Sequence, residues 1–392
     1  MEKIWLASAQ AQFAQMQKDR RYLHQNAEVG FELMGTMEYI KNRLLKLGYR
    51  PKPIGRCALI AEIGQGKGCF LLRADADALP LQERSGESFA CRYGNMHACG
   101  HDLHTAMLLG AAAILKQREE RLRHRVRLFF QPAEEILEGA KSCIEAGVLN
   151  GVEKAMMLHV LPALPFPLGT SIIPQSGVGA PAADFFQVTV IGKGCHGSSP
   201  WQGVDALLIG AQAVCALQAL AARELSPAVP ATLTFGEFHA GNAGNAIAAK
   251  AELSGTLRAM NEEVRAFMKT RLEKVVKSVA NGMRGRARIQ YDGGCPCLIN
   301  DENLCDFLLK TARQSLGEAF TVDASLLPKG GVGGSEDFAY IAQEVPSVMV
   351  GICAGDSRQG EQHPLHSPKV RFGEECMPYG AALLAAAAEK NE

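Results

Sequence analysis

Apolar residues return every three or four positions over 5–26 and again over 35–47, where Leu, Phe, Met, Tyr and Ile fall on one face; this spacing predicts two helices. Between them Leu23-His24-Gln25-Asn26-Ala27-Glu28-Val29-Gly30-Phe31-Glu32 is polar and reads as a loop. Runs 57–63 and 69–74 read as strands, and Gly64-Gln65-Gly66-Lys67-Gly68 between them as a plain hairpin turn. That turn lacks the G-K-[ST] of a phosphate loop and joins strand to strand. A helix over 103–115, a strand over 126–130, a helix containing Gly139-Ala140-Lys141 and a strand over 156–160 follow. From residue 183 the texture changes. A strand (184–191), a helix (204–222), two strands (231–240, 250–259), a helix (261–280) and a strand (287–292) give the β-α-β-β-α-β order of a ferredoxin-like module. Roughly 110 residues suit a compact inserted domain. Past Cys295-Pro296 the alternation resumes with a helix over 301–316, a strand over 346–352 and a helix over 374–389. The expected fold class is α/β: a mixed-sheet, three-layer catalytic domain over 1–182 and 294–392, interrupted by an α+β domain over 183–293.

Composition narrows the function classes. A chain of 392 residues suits two domains, and 47% hydrophobic with 21% charged residues supports a large core. Lys+Arg and Asp+Glu both number 41, and no basic block or aromatic-basic stripe occurs, which argues against nucleic-acid binding. The basic run 118–127 is interleaved with glutamates and reads as a solvated helix end. The N-terminus shows no secretory h-region, and the apolar runs fall short of the roughly 18 residues that mark a membrane span. Twelve cysteines are scattered, and Cys295-x-Cys297 is too tight for a zinc hairpin. The expectation is a cytoplasmic protein with reduced, mostly buried thiols.

Candidate chemistry concentrates in Met96-His97-Ala98-Cys99-Gly100-His101-Asp102-Leu103-His104. Cys99 and His101 can converge on a transition metal from an extended turn, with His97 and His104 as equal candidates and Asp102 capping the next helix. The alternative is a buried cysteine beside capping groups. Asp75 and Asp77, two apart at a strand end, point the same way, towards the edge where open α/β sheets bind ligands; they also suit a capped turn. Glu134 and Glu135 follow a buried strand. One can coordinate metal while the other serves as general base, or both can be first-turn glutamates favoured by a helix dipole. His159 ends a strand and is either structural or a ligand. His196 sits in Gly192-Lys193-Gly194-Cys195-His196-Gly197, which matches G-x-G-x-x-G but has neither the helix nor the distal acid of a dinucleotide site. Asn245 and Arg258 can grip a carboxylate, or can be a turn and a surface residue. Gly333-Gly334-Ser335-Glu336-Asp337-Phe338 opens a short helix, and His363 and His366 lie in a proline-bounded loop. No G-x-S-x-G elbow is present, which argues against a serine hydrolase.

Three motifs in order carry a resemblance: Arg73-Ala74-Asp75-Ala76-Asp77-Ala78-Leu79-Pro80, Met96-His97-Ala98-Cys99-Gly100-His101-Asp102 and Gln131-Pro132-Ala133-Glu134-Glu135. With Leu23-His24-Gln25-Asn26 before them and Leu365-His366-Ser367-Pro368 after, they span nearly the whole chain. The chain resembles the co-catalytic metallohydrolases of the aminoacylase/carboxypeptidase type. Its nearest branch holds hippurate hydrolases, N-acetyldiaminopimelate deacetylases and plant indole-acetyl-amino-acid hydrolases. The resemblance implies two divalent ions, zinc or manganese first and nickel or cobalt as alternatives, on Cys99, His101, Glu135, His159 and His366. Cys99 would bridge, in a place that related peptidases give to aspartate. Glu134 would be the general base on metal-activated water, His196 would help hold the oxyanion, and Asn245 and Arg258 would meet the substrate. The implied reaction is hydrolysis of the amide of an N-acyl-amino acid or similar small conjugate, with a dipeptidase or carboxypeptidase as the alternative. The inserted domain would act as lid and as the contact of a homodimer, its histidine reaching the partner's site; no nucleic acid or membrane partner is implied. Two positions depart from the family: Cys195 replaces a small residue, and Ala246-Ile247-Ala248 replaces Val-Ile-Pro.

Overall fold

The strand Cys69–Asp75 is buried at all seven positions. A strand without polar alternation has both faces covered, the mark of a parallel sheet interior. In the computed structural model, which describes residues 4–327, 334–359 and 363–391, this strand lies inside an eight-stranded sheet. The order is Lys52–Ile54, Ala58–Ile63, Arg125–Gln131, Cys69–Asp75, Lys154–Leu161, Ser347–Cys353, Ser171–Ile173 and Thr321–Asp323. The four strands from Arg125–Gln131 to Ser347–Cys353 run parallel, while Ala58–Ile63 joins them antiparallel. The sheet is therefore mixed and the fold class α/β. The helices His101–Gln117 and Met377–Lys390 pack against each other and are buried along most of their length.

One local expectation fails. Ala58–Ile63 and Cys69–Asp75 do not pair as a hairpin, because Arg125–Gln131 lies between them. The glycine turn instead crosses the start of that strand. Gly64 (φ 81°) and Gly66 (φ 124°) adopt left-handed backbone there, and a Cβ on Gly66 would meet the Arg123 carbonyl at 2.7 Å. The glycines thus serve a close backbone crossing.

The chain divides into two compact units, one of Met1–Gly179, Ile299–Pro328 and Tyr340–Glu392, the other of Ala180–Leu298 and Lys329–Ala339. The second unit holds a four-stranded antiparallel sheet ordered Ala231–Ala240, Lys250–Ala259, Ala182–Ile191, Arg286–Cys295. Two helices cover one face, Ala206–Ala219 capped by Asp205 and Glu262–Gly282 capped by Asn261. Ile209, Ala213, Leu217, Met268, Leu272 and Val276 form its core with the inward residues of the strands. The stretch Ala206–Glu224 is long and apolar enough to cross a membrane by length and composition alone. Its inward face packs in that core. In the segment 333–338 the helix begins only at Phe338, and Gly333 lies outside the described residues.

Candidate metal centre and substrate side

The C-terminal ends of three adjacent parallel strands deliver the loops of the site. Cys69–Asp75 leads to Asp77, Arg125–Gln131 leads to Glu134 and Glu135, and Lys154–Leu161 carries His159. Between Cys99 and His101, Gly100 takes a φ of 85°, and a Cβ there would run into the Val160 side chain. The left-handed glycine ends the extended turn and starts the helix at His101. Asp102 is not the cap of that helix. It sits in the first turn, and its Oδ2 accepts from Arg20 Nε at 3.0 Å and His24 Nδ1 at 2.9 Å.

The histidine tautomers follow from their partners. His101 Nδ1 donates to the Asp77 carbonyl at 2.9 Å, so in the neutral ring that a metal would require, Nε2 carries the lone pair. That Nε2 makes no hydrogen bond among the described residues and lies 3.9 Å from Glu134 Oε2 and 3.9 Å from Glu135 Oε1. His159 Nδ1 donates to the Val160 carbonyl at 2.8 Å, and its Nε2 faces Cys99 Sγ at 3.5 Å. His366 has φ 63°, its Nε2 is 3.4 Å from Glu135 Oε2, and its N–H donates to the Ala98 carbonyl at 3.0 Å. Among the groups of candidate ligand atoms that lie within 4.8 Å of one another, two contain the thiol, Cys99–His101–His159 and Cys99–Glu135–His366, while His101 also groups with Glu134 and Glu135 and with Asp75 and His104. Glu134 and Glu135 do not open a helix: Ala133 (φ 58°) and Leu137 (φ 56°) hold them in a turn, and the next helix starts at Gly139. Asp77 fixes that turn by accepting from the backbone N–H of Glu134 at 3.1 Å and of Glu135 at 3.2 Å.

The electrostatics suit a cation. Burial alone would push His101 down, yet Asp75, Cys99 and Asp77 hold it well above its ordinary pKa, so the position calls for positive charge. Burial lowers His159 to about 3, so its ring is neutral with the lone pair on Nε2, and raises the Cys99 thiol, whose proton a bound cation would displace. Two imidazole lone pairs, a thiol and a carboxylate converging from fixed turns fit a divalent ion, and the outward N–H bonds to carbonyls are the usual orienting bonds of metal-binding histidines.

Of the other two histidines in the motif, His97 is buried with neither ring nitrogen hydrogen-bonded among the described residues, and burial takes it to about 3. His104 is bonded to Asp75 and to the backbone of Val160. The sequence reading missed Arg20 and His24. Met16, Arg20, Leu23 and His24 are all buried on the helix Phe13–Gln25, so charge within an inward helical face was the available signal. His24 bridges two carboxylates, Asp102 and Glu83, and must donate from both ring nitrogens. Burial would lower it, but these two carboxylates lift it to about 9.

In the second unit, the short strands Cys195–His196 and Ala246–Ile247 pair antiparallel, and Gly197 N–H donates to the Asn245 carbonyl at 2.7 Å. His196 and Asn245 are therefore neighbours on one exposed loop cluster, with His196 Nδ1 at 2.7 Å from Ser198 Oγ. Arg258 is not with them. On the strand Lys250–Ala259, Lys250 pairs with Ile191 beside the loops, whereas Arg258 pairs with Ala183 at the far end, about 27 Å along the strand. There Arg258 Nη1 donates to Ser335 Oγ at 2.6 Å.

Known proteins resemble this chain along most of its length. IAA-amino acid hydrolase ILR1-like 2 of Arabidopsis thaliana is 35% identical over 96% of this chain and 85% of its own length. The N-acetyl-L-cysteine deacetylase of Bacillus subtilis is 35% identical over 83% of this chain and 77% of its own. Among solved structures, the YXEP protein of Bacillus subtilis, a dinuclear metal-binding peptidase of the M20 family, superposes with a TM-score of 0.81 at 29% identity, covering 97% of this chain and 98% of that one. The model of peptidase family M20/M25/M40 matches residues 71–390, and the chain belongs to that family.

Proposed function

We propose that the protein is a metal-dependent amidohydrolase that cleaves the amide bond of N-acyl-amino acids or related small amide conjugates. The observation that carries this reading is the sharing of buried Cys99 between two ligand groups, one mostly buried and one opening to the surface at His366, with Glu134 beside them. Cys99, His101, Glu135, His159 and His366 would hold two divalent ions, Cys99 between them. Such ions, when bound, supply Lewis acidity and a lowered pKa for water. Zinc suits thiolate and imidazole donors, with manganese, nickel and cobalt as alternatives. Glu134 takes the proton of the attacking water and returns it to the leaving amine nitrogen. Asp77 keeps Glu134 in register through its backbone N–H. His196 donates to the carbonyl oxygen as negative charge develops on it. Asn245 and Arg258 hold substrate polar groups, including the carboxylate.

Arg258 and the His196–Asn245 cluster stand at opposite ends of one strand, too far apart for a single small substrate. A homodimer, in which the loop cluster of one subunit serves the other's site, reconciles the two. A cytoplasmic location is in keeping with twelve cysteines that form no disulfide. Replacing Glu134 by Ala is expected to lower kcat by about 10²–10⁴-fold while leaving the bound metal unchanged, measured by turnover and metal analysis of one sample. A near-wild-type rate would refute the mechanism. A dipeptidase or carboxypeptidase with the same site is the second reading, favoured by the structural likeness to a peptidase. Initial rates on an N-acetyl-amino acid and on the matching dipeptide separate the two.

A further inference from the structure

We infer that His104 is a positioning residue that fixes the strand end bearing His159 against the buried Asp75 carboxylate. The inference rests on the proposed metal-holding set. His104 lies three residues after His101 on the same helix, which turns both rings towards the sheet. Its ring is buried and bridges two groups: Val160 N–H donates to Nε2 at 2.9 Å, and Nδ1 meets Asp75 Oδ1 at 2.5 Å. A nitrogen that accepts a backbone hydrogen bond carries no proton, so the ring proton is on Nδ1 and donates to Asp75. Asp75 is held in turn by Arg73 Nη1 at 2.7 Å, and Arg73 Nε donates to Gln131 Oε1 at 3.0 Å. The bonds run across three adjacent strands at the level of the site.

The sheet explains why this ring is needed. Cys69–Asp75 and Lys154–Leu161 stay paired only as far as Arg73 and Met157. Beyond that the strands separate, and His104 takes the Val160 N–H on that side. The Val160 carbonyl is taken by the His159 ring itself. The two peptides that flank the Val160 Cα are thus each held by an imidazole, and the ring centroids are 4.8 Å apart. That grip orients His159 Nε2 towards Cys99. Without it, a buried N–H would lose its partner, and the His159 end of the strand would be held on one side only, by its pairing with Ser347–Cys353.

Two substitutions divide the roles of the ring. Asparagine keeps a donor at the Nδ1 position but reaches no further, whereas glutamine carries an oxygen out to the Nε2 position. Metal-free full-length protein is titrated with cobalt(II) alone and followed by its thiolate charge-transfer absorption, with unfolding of the metal-free forms measured alongside. His104→Asn is expected to weaken cobalt binding about 10–100-fold, and His104→Gln to restore most of it at similar metal-free stability. Wild-type cobalt affinity in a folded His104→Asn variant overturns the inference. Nitrogen-15 NMR of the wild-type rings needs no variant: a proton on Nδ1 of His104 supports the inference, and a proton on Nε2 refutes it. A wild-type protein that takes up no cobalt with a thiolate band refutes the metal reading itself, whatever the tautomer.

Discussion

The strand Cys69–Asp75 has no exposed residue, and the strand Ala231–Ala240 has no fully buried one. The first lies in a sheet covered on both faces, the second at the edge of a sheet whose other face meets solvent. The difference decides what polar groups can do in each unit. At the end of the covered strands, Asp75, Asp77, His101 and Asp102 are almost fully desolvated, so each must be paired and each pairing is strong. In the second unit His196 and Asn245 are exposed and bonded mainly to their own loops. Chemistry and stability should therefore be coupled in the first unit and separable in the second.

The largest effect expected on stability is at Arg20, which pairs with Asp102 and Glu374 inside the first unit. Arg20→Met leaves buried carboxylate charge under-compensated and should cost about 3–5 kcal/mol in denaturant unfolding. A change under about 1 kcal/mol would show that the desolvation contrast is overstated. At the exposed loop the reverse is expected. His196→Ala should lower kcat about 10²-fold while changing unfolding free energy by less than about 0.5 kcal/mol; a loss of both together would break the separation.

His24 gives a pH test. Its folded pKa of about 9 exceeds the ordinary histidine value, so it binds its proton more tightly in the folded state. That contribution, about 2–3 kcal/mol, is fully present below pH ~6.5 and is lost as pH rises through about 9. Unfolding measured at pH 6 and pH 9.5 should show the loss, and His24→Gln should reduce the difference. The smallest effect belongs to the solvent-exposed Glu273–Lys277 pair on the second unit's long helix. Glu273→Gln should change stability by less than about 0.5 kcal/mol, although the groups touch as closely as Arg20 and Asp102, because water screens them.

Much of this architecture was legible in the chain. The four strands and two helices of 182–295 follow their periods closely, since each presents one apolar face at a fixed spacing. Cys99 and His101 stood out because thiol and imidazole are rarely so dense without a metal. The hairpin over 57–74 was misread because local pattern says that a segment is a strand, not which strand lies beside it. Arg125–Gln131 enters from more than fifty residues downstream. Asp102 was misread as a cap for the same kind of reason: Arg20 and His24, 82 and 78 residues away, claim its carboxylate.

The sequence by itself determined the element types, the mixed α/β class and the short list of groups able to bind metal, because periodicity and ligand chemistry are properties of neighbouring residues. Only the tertiary structure decided which of those groups meet. It brought Glu135 and His366, as well as His101 and His159, to Cys99, left the His97 ring without a hydrogen bond among the described residues, and bonded His104 to the backbone next to His159. It also parted Arg258 from His196 and Asn245. Such choices depend on the order of strands in a sheet and on which buried donor reaches which acceptor, and neither is set by residues adjacent in the chain.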